Sequence, residues 1–275
     1  VTAPTIPVPE VGVEPGAAAV LVASLDSEWT KIRSVRSTAW SLVATVGVVV
    51  GFSLLLCWAY VNRFDHLSLQ ERFGFDATLH SLRGIQLAQL ATGVLGVLII
   101  ASEYTTGMIR STFAAVPQRS TVLASKALVF GFVAWVVGTI ASVIGFLAGQ
   151  AVLATKHVGV SLGDPHVLRA VLAGGVYLAG IGLLGFALGA ILRRTAGAIA
   201  SLFGLVLVLP ILAQALPSPW NSDISRYLPG QAGEAMLMVR STTDLLSPGA
   251  GLLVLTTWVA VLIGMAVVLT NLRDA

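Results

Sequence analysis

Charge is scarce in this chain. Asp, Glu, Lys and Arg together make up 11% of its 275 residues, against about 25% in a soluble globular domain. Hydrophobic residues make up 56%, and mean hydropathy is +0.90. A water-soluble fold of this length has too little interior to hide so much apolar surface, so part of its solvent must be lipid. Cysteine is almost missing. Cys57 stands alone, which excludes an intrachain disulfide and a metal site built on cysteine; beside Trp58 in an apolar run it reads as a small hydrophobe. None of Lys31, Lys126 and Lys156 has the neighbours of a G-x-x-x-x-G-K-[ST] phosphate loop, so ATP hydrolysis by that route is excluded for this polypeptide. HExxH is also absent, which removes one route to hydrolytic chemistry. The four histidines, His66, His80, His157 and His166, fall in expected loops and read as solvated. The net charge of +3 comes without a basic run or interleaved aromatics, so no nucleic-acid partner is expected. No ten-residue apolar/polar alternation occurs, which excludes a membrane β-barrel.

What is present is a set of long runs without charge. A charged side chain at the bilayer centre costs roughly 2.5–3.5 kcal/mol on insertion scales, so runs free of Asp, Glu, Lys and Arg mark candidate spans. Six exist, at 37–62, 84–102, 127–155, 170–192, 195–222 and 245–272. Each is long enough, or nearly so, for the ~20 helical residues that cross ~30 Å of hydrocarbon. Only helices satisfy their own backbone in lipid without neighbouring strands. The expected fold is therefore an all-α integral membrane protein with spans near 40–61, 83–102, 124–154, 169–192, 196–216 and 251–271. Lys126 is expected to snorkel from the third span to the interface. Pro210 predicts a kink in the fifth.

With six spans both termini share a side. That side collects nine basic residues, Lys31, Arg33, Arg36, Arg110, Arg119, Lys126, Arg193, Arg194 and Arg273, against seven on the other. The bias predicts cytoplasmic termini in a bacterial plasma membrane. Residues 1–23, with Pro4, Pro7, Pro9 and Pro15, read as a disordered tail rather than a signal peptide; residues 24–275 form the membrane domain.

Three polar segments lie between or beside the spans. In residues 24–39, Ser24 is a candidate N-cap, Asp26 and Glu28 precede Lys31, Arg33 and Arg36, and Leu25, Trp29 and Ile32 share a helical face. This pattern predicts an amphipathic helix lying in the interface. In residues 103–120, Tyr104, Met108, Ile109, Phe113 and Val116 form an apolar stripe, Glu103 and Arg110 add opposite charges, Gly107 allows close approach of another backbone, and Pro117 stops the helix. Such a stripe on a short loop lacks a core of its own, so a protein partner is the expected acceptor. In residues 217–251, segments 224–228 and 234–239 are apolar enough for short outer helices, with Pro217, Pro219, Pro229 and Pro248 as punctuation.

Within the spans the long polar side chains are Gln86, Gln89, Gln150 and Gln214. The absence of an ionisable group there argues against a proton- or sodium-coupled carrier. Gln86 and Gln89 share one face of the second span near its outer end. With Phe52 and Phe203 they are the candidate lining of a substrate path, the alternative for the glutamines being interhelical hydrogen bonds. Gly47/Gly51, Gly145/Gly149 and Gly185/Gly189 form G-x-x-x-G pairs, at most one of which is expected to make a close helix crossing.

The run SEWTKIRSVRST from Ser27 to Thr38 and the run SEYTTGMIR from Ser102 to Arg110 resemble segments of the ABC-2 type permeases, the membrane subunits of one class of ATP-binding-cassette exporters, in particular actinobacterial-like members. Tyr227-Leu228-Pro229 followed by Ala232-Gly233 is similar, more weakly, to their outer segment. The resemblance covers the chain from about Ser24 onward. It implies an exporter of a hydrophobic or amphipathic molecule, working by alternating access, whose coupling helix opens at Glu103 and docks on a nucleotide-binding subunit. The contact residues it implies are Glu103, Tyr104, Gly107, Met108, Arg110, Glu28 and Lys31. It also implies a homodimer with two copies of the ATPase subunit, surrounded by membrane lipid. The chain would be no enzyme and carry no cofactor; ATP and Mg would be bound by the partner. Two other readings stay open on the residues alone: a membrane receptor or scaffold, and an ion-coupled carrier.

Overall fold

A computed structural model describes residues 17–116, 118–217, 220–239 and 245–273. No described residue lies in a β-strand. The proline-rich segment 1–16 and the helix-stopping Pro117 lie outside the described residues.

The chain begins with α1 (Ala17–Ser34) and α2 (Arg36–Arg63), separated by the extended Val35. Helix α1 therefore starts seven residues before Ser24, which sits inside it and is no N-cap. The expected helix at 24–39 splits at Val35, so residues 36–39 belong to the first span. Short helices α3 (Leu69–Phe73) and α4 (Ala77–Leu82) follow, each with a side-chain cap. Ser68 and Glu71 form a reciprocal capping box, and the Asp76 carboxylate accepts from the Thr78 and Leu79 N–H groups. Next come α5 (Gly84–Thr106), α6 (Met108–Ala115), α7 (Arg119–Leu153) and α8 (Val167–Leu192). The remainder is α9 (Thr195–Phe203), a π-helical turn at Gly204–Val208, α10 (Leu209–Gln214), α11 (Trp220–Ser225), α12 (Pro229–Leu237) and α13 (Pro248–Leu272).

Six helices are long and apolar enough to cross a membrane: Arg36–His66, Ala77–Thr106, Arg119–Lys156, Val167–Leu192, Thr195–Gln214 and Pro248–Leu272. All six match the charge-free runs, and they fit a multi-pass membrane protein. The π turn sits just before Pro210. A proline lacks the N–H that would bond four residues back and its ring crowds that carbonyl, and a widened turn is one way to absorb both.

Helix α8 is the axis of the bundle. It packs on α5, α7 and α13, while α2 lies across α5 and α7, and α9 across α8 and α5. The most apolar window of α8 is 72% buried and that of α13 only 17%. Glycine explains how α8 gets so close to α5. A Cβ at Gly185 would run into the Gly93 carbonyl, and one at Gly96 into the Gly182 carbonyl. Gly189 faces Ile100 and Val97, and Gly145 and Gly149 receive Val49, Ser53, Ser81 and Cys57. Two of the three G-x-x-x-G pairs are thus close crossings rather than one at most; of the three pairs, Gly47/Gly51 is the one that faces open space. Cys57 is fully buried beside Ser81.

Two short helices do lie between the fifth and sixth spans, but they are shifted from 224–228 and 234–239. Pro229 opens α12 instead of ending a segment, since a proline at the first helical position gives up only an N–H that would be unpaired anyway.

Candidate functional site

One end of the bundle, the terminal face, gathers α1, the ends of α5, α8 and α13, the start of α7, and α6 between α5 and α7. Backbone and side chain are tied together there by basic groups. Arg119 donates to the carbonyls of Thr270 and Arg273, and Arg273 donates to Ile191 O at 3.1 Å. The Arg193 guanidinium lies 5.0 Å from the centre of the Tyr104 ring, and that of Arg119 lies 5.5 Å from that of Phe113.

At the centre of this face are two lysines and two carboxylates from three helices. Lys126 Nζ lies 2.6 Å from Glu28 Oε1 and 2.8 Å from Glu103 Oε1. Lys31 Nζ lies 2.6 Å from the same Glu103 oxygen and 3.4 Å from Glu28 Oε1. The side chains of Lys126, Glu103 and Glu28 are 1%, 3% and 8% exposed, that of Lys31 34%. Burial alone would drive each of these groups toward its neutral form. Each ammonium here is set against carboxylate oxygens, so opposite formal charges replace the lost hydration. Burial is the largest single influence on Lys31 and lowers its pKa, but the hydrogen bond and charge of Glu103, with the charge of Glu28, outweigh it and leave the pKa above the ordinary lysine value. Lys126 does not snorkel: it turns inward, where two carboxylates are a better solvent for an ammonium than a hydrocarbon boundary.

Glu103 belongs to the last turn of α5 and does not open the short helix. Helix α5 continues to Thr106, Gly107 takes a left-handed conformation with φ 73°, and α6 starts at Met108. A Cβ on Gly107 would meet nothing within 4 Å. Its role is the positive φ that redirects the chain, not the close approach of another backbone. Helix α6 does enter the chain's own core, contrary to the expectation of an unhoused stripe. Ile109 and Phe113 are 3% and 9% exposed and join a cluster with Val122, Leu123 and Phe130 of α7. Met108 is 46% exposed and Arg110 is exposed. Tyr104 is half-buried.

The expected contact residues therefore separate into two groups. Glu28 and Glu103 are consumed inside the fold, with Lys31 half-committed. Met108 and Arg110 remain at the surface, joined by exposed Trp29 and Arg33 of α1. Of the expected path residues, Gln89 is buried and fully engaged: its Nε2 donates to Gln86 O at 2.7 Å, and Tyr177 Oη donates to its Oε1 at 2.5 Å. Gln86 stands near Glu234 of α12. Phe52 and Phe203 are half-buried on α2 and α9, helices that each pack on α5 but against different further neighbours. Among the described residues, no group of three or more His, Cys, Asp and Glu is placed to hold a metal.

Sequence reasoning missed Lys126 as a partner of Glu28 and Glu103. The available signal was two charges, Glu103 and Lys126, bordering charge-free runs on one side of the expected topology, with Glu28 in the polar segment before the first span. Spacing says nothing about pairing across 98 residues. It also missed Arg169, whose guanidinium donates to Met236 O at 3.0 Å and Met238 O at 2.5 Å, and Glu234.

No known family model matches this chain, and no curated protein matches it.

Proposed function

We propose that this chain is the membrane subunit of an ATP-driven exporter of the ABC-2 type, with both termini in the cytoplasm and α6 as the helix that engages an ATPase subunit. The observation that carries the reading is the mounting of α6. It is a two-turn helix in the connection between the second and third spans, seated by Ile109 and Phe113 on α7 and set off by the turn at Gly107. Beside it, Lys126 of α7 is locked to Glu103 of α5 and Glu28 of α1. A push on the exposed Met108 and Arg110 would thus reach α5, α7 and α1 together rather than bend a loop.

In this reading ATP and Mg are held by the partner, two permeases form the working dimer, and α1 lies along the inner interface with Trp29 outward. Binding of ATP brings the partner subunits together, α6 transmits the displacement, and the bundle exchanges an inward-open for an outward-open state. The cargo is hydrophobic or amphipathic, consistent with spans that expose Leu, Val, Ile and Phe and carry few polar groups.

The test is reconstitution of the purified chain in vesicles with the phosphate-loop ATPase that co-purifies with it. Hydrolysis is expected to depend on this subunit. Arg110→Ala and Met108→Ala, both at exposed positions, are expected to lower that stimulated hydrolysis while leaving thermal unfolding unchanged. Hydrolysis unaffected by either variant, or solute movement driven by an ion gradient with no ATPase present, overturns the reading.

A further inference from the structure

The flank of the bundle away from the terminal face holds a lateral groove of about 340 Å³ between α7, α8 and α13, roofed by α12. Trp135, Leu172, Val176, Met236 and Leu252 line it, and Arg169 is the one charged residue in its wall. Trp135, Leu172 and Leu252 are 44%, 44% and 39% exposed and belong to helices long and apolar enough to span a membrane. The groove therefore opens sideways, toward the medium that surrounds the spans.

Its upper end is positive. The Arg169 guanidinium is pinned by its two bonds to the carbonyls of Met236 and Met238. A guanidinium has five N–H donors, so three remain, and the carbonyls offer only partial negative charge. Among the described residues, no carboxylate forms an ion pair with Arg169. Two helix starts flank it. Helix α8 begins at Val167, two residues before Arg169, and Pro248 and Gly249 at the start of α13 line the same groove. The positive ends of both helix dipoles add to the arginine's charge. Nothing lies within 4 Å of where a Gly249 side chain would project, so the backbone there is open to an approaching anion.

Below this head the groove is apolar. Leu172 and Val176 stand three and seven residues further along α8, ~4.5 and ~10 Å deeper at 1.5 Å per residue. Fixed positive charge above and a hydrocarbon-lined trough beneath is the mirror of one class of molecule. We propose that this groove binds one anionic phospholipid, its phosphate-bearing headgroup at Arg169 and an acyl chain along Leu172 and Val176. A soluble anion would fill only the head and leave the trough empty. A zwitterionic lipid would bring a second cation toward Arg169. The site shares no residue with the surface around Met108 and Arg110, so it stands whether or not an ATPase docks there.

Trp135 supplies the probe. In neutral detergent, quenching of Trp135, isolated by subtracting the signal of Trp135→Phe, is measured against phosphatidylglycerol and phosphatidylcholine brominated at mid-chain. Quenching is expected to reach half-saturation at a lower mole fraction of the anionic lipid. Arg169→Gln is expected to raise that mole fraction about five-fold, the weight of one basic contact with an acidic headgroup, and to leave phosphatidylcholine unaffected. Because Arg169 also holds the α12 connection, Leu172→Phe provides a second variant. It fills the trough without touching the arginine and is expected to weaken anionic-lipid quenching as well. Soluble glycerol phosphate at equal concentration is expected not to compete. Equal half-saturation for the two lipids, unchanged binding in both variants, or displacement by glycerol phosphate overturns the proposal.

Discussion

At the terminal face, two lysines and two carboxylates join α1, α5 and α7 through full charges that are largely dry. At the far end, α8 is joined to α5 by Tyr177–Gln89 and to α12 and the residue after it by the Arg169 bonds to the Met236 and Met238 carbonyls. In a dry site a neutral hydrogen bond and an ion pair fail differently. Removing one partner of the neutral bond strands a dipole; removing one lysine of the cluster strands a charge. The terminal joint is therefore close to all-or-none, whereas the far joint loosens by steps.

The sharpest way to break the comparison is Lys126→Met. With Glu28 and Glu103 left buried around one remaining, half-exposed lysine, unfolding in detergent is expected at ~3–5 kcal/mol less than wild type. A loss under ~1 kcal/mol would make the two ends equivalent. Next comes Gly233→Ala. A Cβ there meets the Tyr177 ring, and an overpacked contact of this kind costs ~1–3 kcal/mol. The same measurement is expected to show α12 undocked, read as faster proteolysis of the α12 connection, with the terminal face intact. Gln89→Leu should cost about as much or less, ~1–3 kcal/mol, because the Tyr177 hydroxyl is left without its acceptor.

The smallest effect is a pH slope. Burial, the largest influence, raises the Glu234 pKa above the usual carboxylate value, opposed by the charge of Arg83 and by the nearby Gln86 amide. A carboxyl with a folded pKa above its unfolded value binds its proton more tightly in the folded state, so the folded protein loses stability as pH rises from about 4.5 through the folded pKa. Glu234→Gln is expected to flatten that part of the melting-temperature profile. Lys31, whose pKa is raised, contributes stability that is complete below its unfolded value and is lost only as pH rises through its higher folded one. The far end is thus expected to respond on the acid side and the terminal end on the alkaline side.

Much of the fold was legible because a bilayer punishes charge. Six charge-free runs found six spans, and Pro210, read as a kink, stands two residues beyond a π turn. Helix starts were less legible. Ser24 looked like a cap, but α1 begins at Ala17 because Ala and Val upstream are no obstacle to a helix. The stripe Ile109–Phe113 was visible; its destination was not, since a two-turn helix on a hairpin can pack inward or outward with the same periodicity. Glycine pairs told the same story. Gly47/Gly51 and Gly185/Gly189 look alike in sequence, yet only the second meets another backbone.

By itself the sequence determined that this chain is helical, that six segments are long and apolar enough to span a membrane, and which connections are polar, because each of those follows from the local cost of exposing backbone or charge to hydrocarbon. Only the tertiary structure decided that Lys126 turns inward to Glu28 and Glu103, that α8 is the buried axis, and that Arg169 heads an apolar groove. Those outcomes depend on which helices stand side by side, and a Coulomb attraction or a van der Waals contact acts through distance in space, a quantity that separation along the chain does not contain.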